Sequence, residues 1–139
     1  MPTADPRNVV RATYTYSTGN GRGTLVARLS QGPLELERLR VGFSYRPGSD
    51  LDGRIAAYAA ATALALRLAD KGLRRVELLG PERELAEDVV TRRRLPSSLV
   101  VPYITLGCAL NRFAEARVGA AEPAALLALR GTAGYRRSA

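Results

Sequence analysis

The stretch "LDGRIAAYAAATALALRLADKGLRRVELLGPERELAEDVV" (51–90) decides the architecture, because its apolar residues recur first at helical, then at strand, then again at helical spacing. Over 51–72, Ile55, Tyr58, Ala59, Thr62, Ala63 and Leu66 fall at i, i+3, i+4, i+7, i+8 and i+11, one face of a helix. Its many alanines let such a helix lie close against a sheet, and Gly72 after Asp70-Lys71 reads as a C-cap. "LRRVELLG" (73–80) is a short strand. "PERELAEDVVTRRR" (81–94) is a helix with Pro81 suited to its first turn. Glu82 and Glu84 near its start and Arg92, Arg93 and Arg94 at its end both suit the helix dipole. The Gly80-Pro81 corner follows a strand, and open α/β sheets place ligands and catalytic groups at such corners.

Upstream the period is 2. "VVRATYTYST" (9–18) and "TLVARLS" (24–30) are strands rich in β-branched and aromatic residues, separated by the turn "GNGRG" (19–23). After "QGP", the strand "LELERLRVGFSY" (34–45) points Leu34, Leu36, Leu39, Val41, Phe43 and Tyr45 to one side, with a shift of parity at Glu37-Arg38 that marks a bulge. Downstream, "LPSS" breaks the second helix, and "VPYITLGCALNRF" (101–113) is a third, interrupted or tolerant at Gly107. "AEARVGA" (114–120) reads as a last strand and "EPAALLALRG" (122–131) as a last helix. Three antiparallel strands followed by βα units give an α/β fold, a mixed five-stranded sheet with helices packed on it. One domain is expected over 9–131, with a flexible N-terminus at 1–8 and a flexible basic tail at 132–139.

The 139 residues suffice for a single substantial core, and 46% hydrophobic with 24% charged residues is ordinary for a globular protein. One cysteine excludes an internal disulfide framework; Cys108 lies on an apolar helix face and is expected in the core. The start has no signal-peptide pattern, and the most apolar stretch carries Arg67 and is too short for a membrane span. A cytoplasmic location without membrane association is the expectation. The net charge is +8, with Lys71 the sole lysine beside twenty arginines. Such a surface attracts polyanions, nucleic acid foremost; arginine-rich coding composition gives the same skew without a ligand.

The order of elements and several motifs resemble the ribonuclease H family over nearly the whole chain. Asp52-Gly53-Arg54-Ile55-Ala56-Ala57-Tyr58 and the Ala/Leu helix after it look like the family's Thr-Asn-Asn-x-Ala-Glu-Tyr segment. Gly80-Pro81-Glu82 stands where the family reads Gly-Asp-Ser. Glu122-Pro123-Ala124-Ala125-Leu126-Leu127-Ala128 resembles the terminal Asn-x-x-Ala-Asp-x-Leu-Ala, one residue tighter or differently registered at its front. The resemblance implies a ribonuclease H-like fold. Active members cut the RNA of RNA–DNA hybrids with four carboxylates that hold two divalent metals on either side of the scissile phosphate. Those ligands must be hard oxygens. Here the four positions fall on Tyr16 or its neighbours, Ala57, Pro81 and Ala125, none of them acidic.

No metal, no cofactor and no catalytic residue is therefore expected, and binding is the leading surviving function. Relocated acids, Asp52, Glu82 and Glu122, leave open a divergent metal-dependent nuclease; otherwise Asp52 or Asp50 caps the first helix, Glu122 caps the last, and Glu82 complements its helix dipole. With no histidine, Ser-His and Cys-His nucleophiles and His-based zinc sites are excluded. "GNGRG" has no following helix, so it is a hairpin turn and not a phosphate loop. The resemblance assigns nucleic-acid contacts to Asn20, Arg22, Arg46 and Arg54, and Arg92, Arg93 and Arg94 form a second basic patch. RNA–DNA hybrid or double-stranded RNA suits this fold better than B-DNA. The other reading is a protein-interaction module. Tyr103, Leu106, Leu110 and Phe113, at helical spacing, are then either core or a homodimer face.

Overall fold

The computed structural model of the chain describes residues 8–91 and 94–131, so the two expected loose ends, apart from Asn8, and Arg92 and Arg93 lie outside the described residues. Chain order is β1 (Val10–Gly19), β2 (Arg22–Gln31), β3 (Leu34–Ser44), α1 (Asp52–Asp70), β4 (Arg75–Gly80), α2 (Arg83–Thr91), α3 (Ser97–Leu110), β5 (Glu115–Ala120) and α4 (Pro123–Gly131). The five strands form one sheet in the order β3-β2-β1-β4-β5. The first three pair antiparallel, whereas β4 is parallel to β1 and to β5.

Turn chemistry sets the meander. Asn20 and Gly21 both have positive φ, 53° and 80°, and join Gly19 to its partner Arg22 as a two-residue type I′ turn. Gly32 (φ 58°) followed by Pro33 makes the second hairpin, between Gln31 and Leu34. The bulge expected at Glu37-Arg38 sits one residue earlier. Leu29 opposes Glu37 while Ser30 opposes Glu35, leaving Leu36 as the extra residue. Leu36, Leu39 and Val41 are thereby all buried, and Glu37 reaches Lys71 at the end of α1 in an ion pair. Leu34, at the hairpin end, is exposed.

The core lies between the sheet and α1. Ala12 and Tyr14 of β1, Leu25, Ala27 and Leu29 of β2, and Val76 and Leu78 of β4 meet Ala60, Ala61, Leu64, Ala65 and Leu68. Each such leucine contributes about 2 kcal/mol by leaving water. The helix face expected to be buried is instead a flank. Only Tyr58 of that set is fully buried, and Leu66 is exposed, because alanines on every side of α1 leave its periodicity weak. The end of α1 is a Schellman motif, Gly72 N–H donating to Ala69 O and Leu73 N–H to Leu68 O, with Gly72 at φ 81°.

α3 starts four residues before the expected position and runs unbroken through Gly107. Ser97 and Ser98 already belong to its first turn, and the break is at Leu95-Pro96. Its inward face carries Leu99, Leu106 and Ala109, with Phe113 just beyond; Tyr103 and Leu110 pack against the same core. That settles the Tyr103–Phe113 face as core. Cys108 points the other way and is exposed, contrary to expectation, since it stands two residues from buried Leu106 on a helix.

Candidate functional site

β1 and β4 run parallel and side by side, Ala12 beside Leu78 and Thr13 beside Leu79, so their C-terminal ends open onto one corner. Tyr14 lies against Gly80 so closely that a Cβ there would overlap its ring. Beyond Gly80 the chain bends at Pro81, outside the helix it was expected to start; α2 begins at Arg83. Glu82 then accepts a hydrogen bond from the Tyr16 hydroxyl at 2.9 Å. The Tyr16 ring meets Phe43 edge to face, centroids 5.8 Å apart, and Phe43 in turn covers Gly23 across the β2–β3 pair.

The other wall comes from α1 and α2. Asp88 of α2 is fully buried, and its Oδ2 accepts from Arg54 Nη2 at 2.6 Å and from the Tyr58 hydroxyl at 2.9 Å. Arg54 Nε also lies 3.5 Å from Glu84 Oε1. Arg54, Ala57, Tyr58, Glu82, Glu84, Leu85 and Asp88 enclose only about 10 Å³, at most one water. Burial first, then the Glu82 charge and hydrogen bond, push the Tyr16 phenol above the ordinary tyrosine range. Burial, then the hydrogen bond and charge of Asp88, do the same for Tyr58. Burial, with a smaller push from Glu82, raises Tyr14.

Tyr16, Ala57 and the Pro81 corner thus share one cleft, whereas Ala125 lines a separate pocket with Thr13 and Leu79. The cleft does not fit a pair of divalent metals. Asp88 and Glu84 are taken up by an arginine, Glu82 by a phenol, and among the described residues no group of three or more His, Cys, Asp or Glu has metal-holding geometry. The three acids that could have replaced the missing ligands, Asp52, Glu82 and Glu122, stand apart in role. Asp52 does not cap α1, whose N-cap is Leu51 without a side-chain hydrogen bond. Its carboxylate accepts from the N–H groups of Gly48 (3.0 Å) and Ser49 (2.8 Å), bracing the preceding loop. Glu122 is exposed before α4, where its backbone carbonyl accepts from Ala125 and Leu126.

Of the residues assigned to nucleic acid, Asn20, Arg22 and Arg46 come together. Tyr45 N–H donates to Gly21 O at 2.9 Å, and the sheet pairs Arg22 with Ser44, so the β1–β2 turn and the loop after β3 form one edge. Arg22 and Arg46 are exposed, with no ion pair among the described residues. Arg54 faces inward on Asp88 and Glu84, and Arg94 is exposed at the far end of α2. The sequence reading missed Asp88. The signal was there: it stands at i+3 from Leu85, on the apolar face of α2.

Comparison with solved structures identifies the architecture. Ribonuclease H1 of the halophilic archaeon Halobacterium salinarum superposes with a TM-score of 0.69, at 16% identity, over 87% of this chain and 93% of that one. The chain has a ribonuclease H-like fold. The N-terminal ribonuclease H domain of a Mycobacterium tuberculosis protein matches at TM-score 0.67 and 14% identity, over 95% and 99% of the two chains. LC11 ribonuclease H1, solved in complex with an RNA/DNA hybrid, matches at 0.62 and 6% identity over 88% and 91%. No family model matches the chain, and no curated protein matches it in sequence. Among the described residues no helix of this ribonuclease H-like domain is long and apolar enough to cross a membrane.

Proposed function

We propose that the chain binds nucleic acid, RNA–DNA hybrid or double-stranded RNA, without cutting it. One observation carries the reading: Asn20, Arg22 and Arg46 converge on one edge of a ribonuclease H-like sheet with both guanidiniums unpaired among the described residues, while the acids of the adjoining cleft are bonded within it. Exposed unpaired arginines suit phosphate contacts, which give affinity without sequence preference. Arg94, continuous in sequence with Arg92 and Arg93, offers a second contact. Among the similar structures, that of LC11 ribonuclease H1 holds an RNA/DNA hybrid, which supports the reading.

The test is fluorescence anisotropy with labelled hybrid, double-stranded RNA and B-DNA at rising salt. Log K falls linearly with log salt, and the double variant Arg22→Ala/Arg46→Ala lowers the slope by about 1.8 if each arginine holds one phosphate. Absence of binding to all three at low salt removes the reading. Magnesium-dependent cleavage, lost on Glu82→Gln, would return the protein to the nucleases.

A second reading, protein assembly, rests on a groove of about 940 Å³ between α1, α3 and the loop after β3. Leu66 and Val101 line it, both exposed, with exposed Ile104 close by on α3. Patches of this kind mark interaction surfaces. Sedimentation at rising concentration, with Val101→Glu as control, decides whether a homodimer uses it.

A further inference from the structure

Side chains alternate across a strand, so Arg11, Thr13 and Thr15 of β1 and Arg28 and Ser30 of β2 point away from α1, toward α4. A pocket of about 520 Å³ lies there, walled by Arg11, Thr13, Arg28 and Ser30, by the β2–β3 hairpin with Glu35, and by the segment that leads into α4. Arg28 is its unusual member. It is half-buried, its Nε is shut off from water, and that N–H has no hydrogen-bond acceptor. No ion pair or hydrogen bond of its guanidinium occurs among the described residues.

Glu35 lines the same pocket and interacts with Arg28 through charge, but its hydrogen bonds go elsewhere. Glu35 is held by Arg38 through two bonds, Nε to Oε2 at 3.2 Å and Nη2 to Oε1 at 3.0 Å. Glu77 takes Arg11 Nε at 3.2 Å. Glu122 stands exposed at the mouth, where water screens it. A guanidinium carries five donors, and leaving one buried without an acceptor disfavours the folded state. A ligand in the pocket cannot reach that shut-off Nε, but Arg28 also lines the pocket, and its other guanidinium donors have no acceptor among the described residues. Hydroxyls of Thr13 and Ser30 line the same space, and the first turn of α4 begins at its rim, a partial positive charge.

We infer that this pocket binds the terminal phosphate of a small molecule, with Arg28 as the principal contact and Thr13 and Ser30 as hydroxyl donors. Thr13 is only 3% exposed, so the floor is reached by a terminal group and not by a phosphodiester flanked by its polymer. The site shares no residue with the Asn20–Arg22–Arg46 edge, and neither inference depends on the other.

Pyrophosphate and inorganic phosphate titrated into the full chain provide the test, read by the arginine Nε–H signals in NMR and by the melting temperature. Pyrophosphate is expected to shift the Arg28 Nε–H resonance and to raise the melting temperature. Arg28→Lys, which keeps the charge but loses the fork, should bind about tenfold more weakly, the equivalent of one charge-assisted hydrogen bond. Arg28→Met should abolish the response while leaving the ligand-free protein at least as stable as the parent. Arg28→Met melting well below the parent would make Arg28 a structural residue and overturn the inference. An unmoved Arg28 signal at millimolar pyrophosphate would do the same. Displacement of pyrophosphate by a hybrid lacking terminal phosphates would reassign the pocket to the polymer and overturn the small-molecule source.

Discussion

The two sides of β1 treat charge in opposite ways. On the α1 side the acids at the corner are bonded to neighbours, Glu82 to Tyr16 and Asp88 to Arg54 and Tyr58, around about 10 Å³ of space. On the α4 side Arg28 is left without an acceptor among the described residues, beside about 520 Å³. A closed cleft whose polar groups are bonded to one another contributes to folding, whereas a guanidinium without an acceptor beside open space leaves donors for a ligand to take. Conserving the ribonuclease H-like frame does not fix which of its faces is kept open.

The largest effect should come from breaking the bonded side. Asp88→Ala leaves Arg54 without its buried partner and Tyr58 without its acceptor, a loss of about 3 kcal/mol, at the low end for a buried pair because Arg54 keeps some solvent and Glu84. Urea denaturation measures it. Replacing both charges together, Arg54→Met with Asp88→Leu, should recover most of that loss, since apolar infill of similar volume substitutes for a buried pair. If the double variant is no better than the single, the network does more than fill space, and the contrast between the two sides weakens.

Alkaline pH tests the same side without mutation. Tyr14, Tyr16 and Tyr58 are each held above the ordinary phenol range, in every case chiefly by burial. The unfolded chain releases these protons near pH 10, while the folded chain keeps them. Their stabilisation is therefore complete below about pH 10 and is lost as pH rises above it, by up to about 1.4 kcal/mol per pH unit for each tyrosine. Few other groups confuse the reading, since the arginines stay protonated and Lys71 is the only lysine. Tyrosinate absorbance should appear in two steps, the second coincident with unfolding. A single step near pH 10 in a still-folded protein would show that the cleft is open to water.

How much of this was legible in the sequence varies with how local the cause is. Asn20-Gly21 and Gly32-Pro33 dictate their turns within a few residues, so the antiparallel meander could be read directly. The parity shift in β3 announced its bulge, though the paired register alone placed it at Leu36. Alanine defeated the reading of α1: with small apolar residues all round, the flank lining the groove and the face on the sheet look alike. The absence of acids at Tyr16, Ala57, Pro81 and Ala125, the positions the resemblance points to, was plain in the sequence. What occupies the cleft was not, because Arg54 and Asp88 are 34 positions apart and meet only when α2 packs beside α1. Arg28 was hidden for a related reason. Alternation in "TLVARLS" turns it away from the main core, and only the return of α4 makes that side a pocket.

The smallest effect separates filling from bonding. Tyr16→Phe keeps the ring against Phe43 and removes only the hydroxyl that donates to Glu82. Glu82 is part-buried at the corner, so water can replace the lost donor, and the expected loss is about 1 kcal/mol with an unchanged urea slope. The missing hydroxyl also removes one late-titrating phenol, so the alkaline stability loss should become shallower by one proton. Both shifts belong together, since the same phenol that satisfies Glu82 is the one its charge and burial keep protonated. A variant more stable than the parent would mean that the cleft strains its carboxylate, and the α1 side would then resemble the α4 side in holding a polar group at a cost.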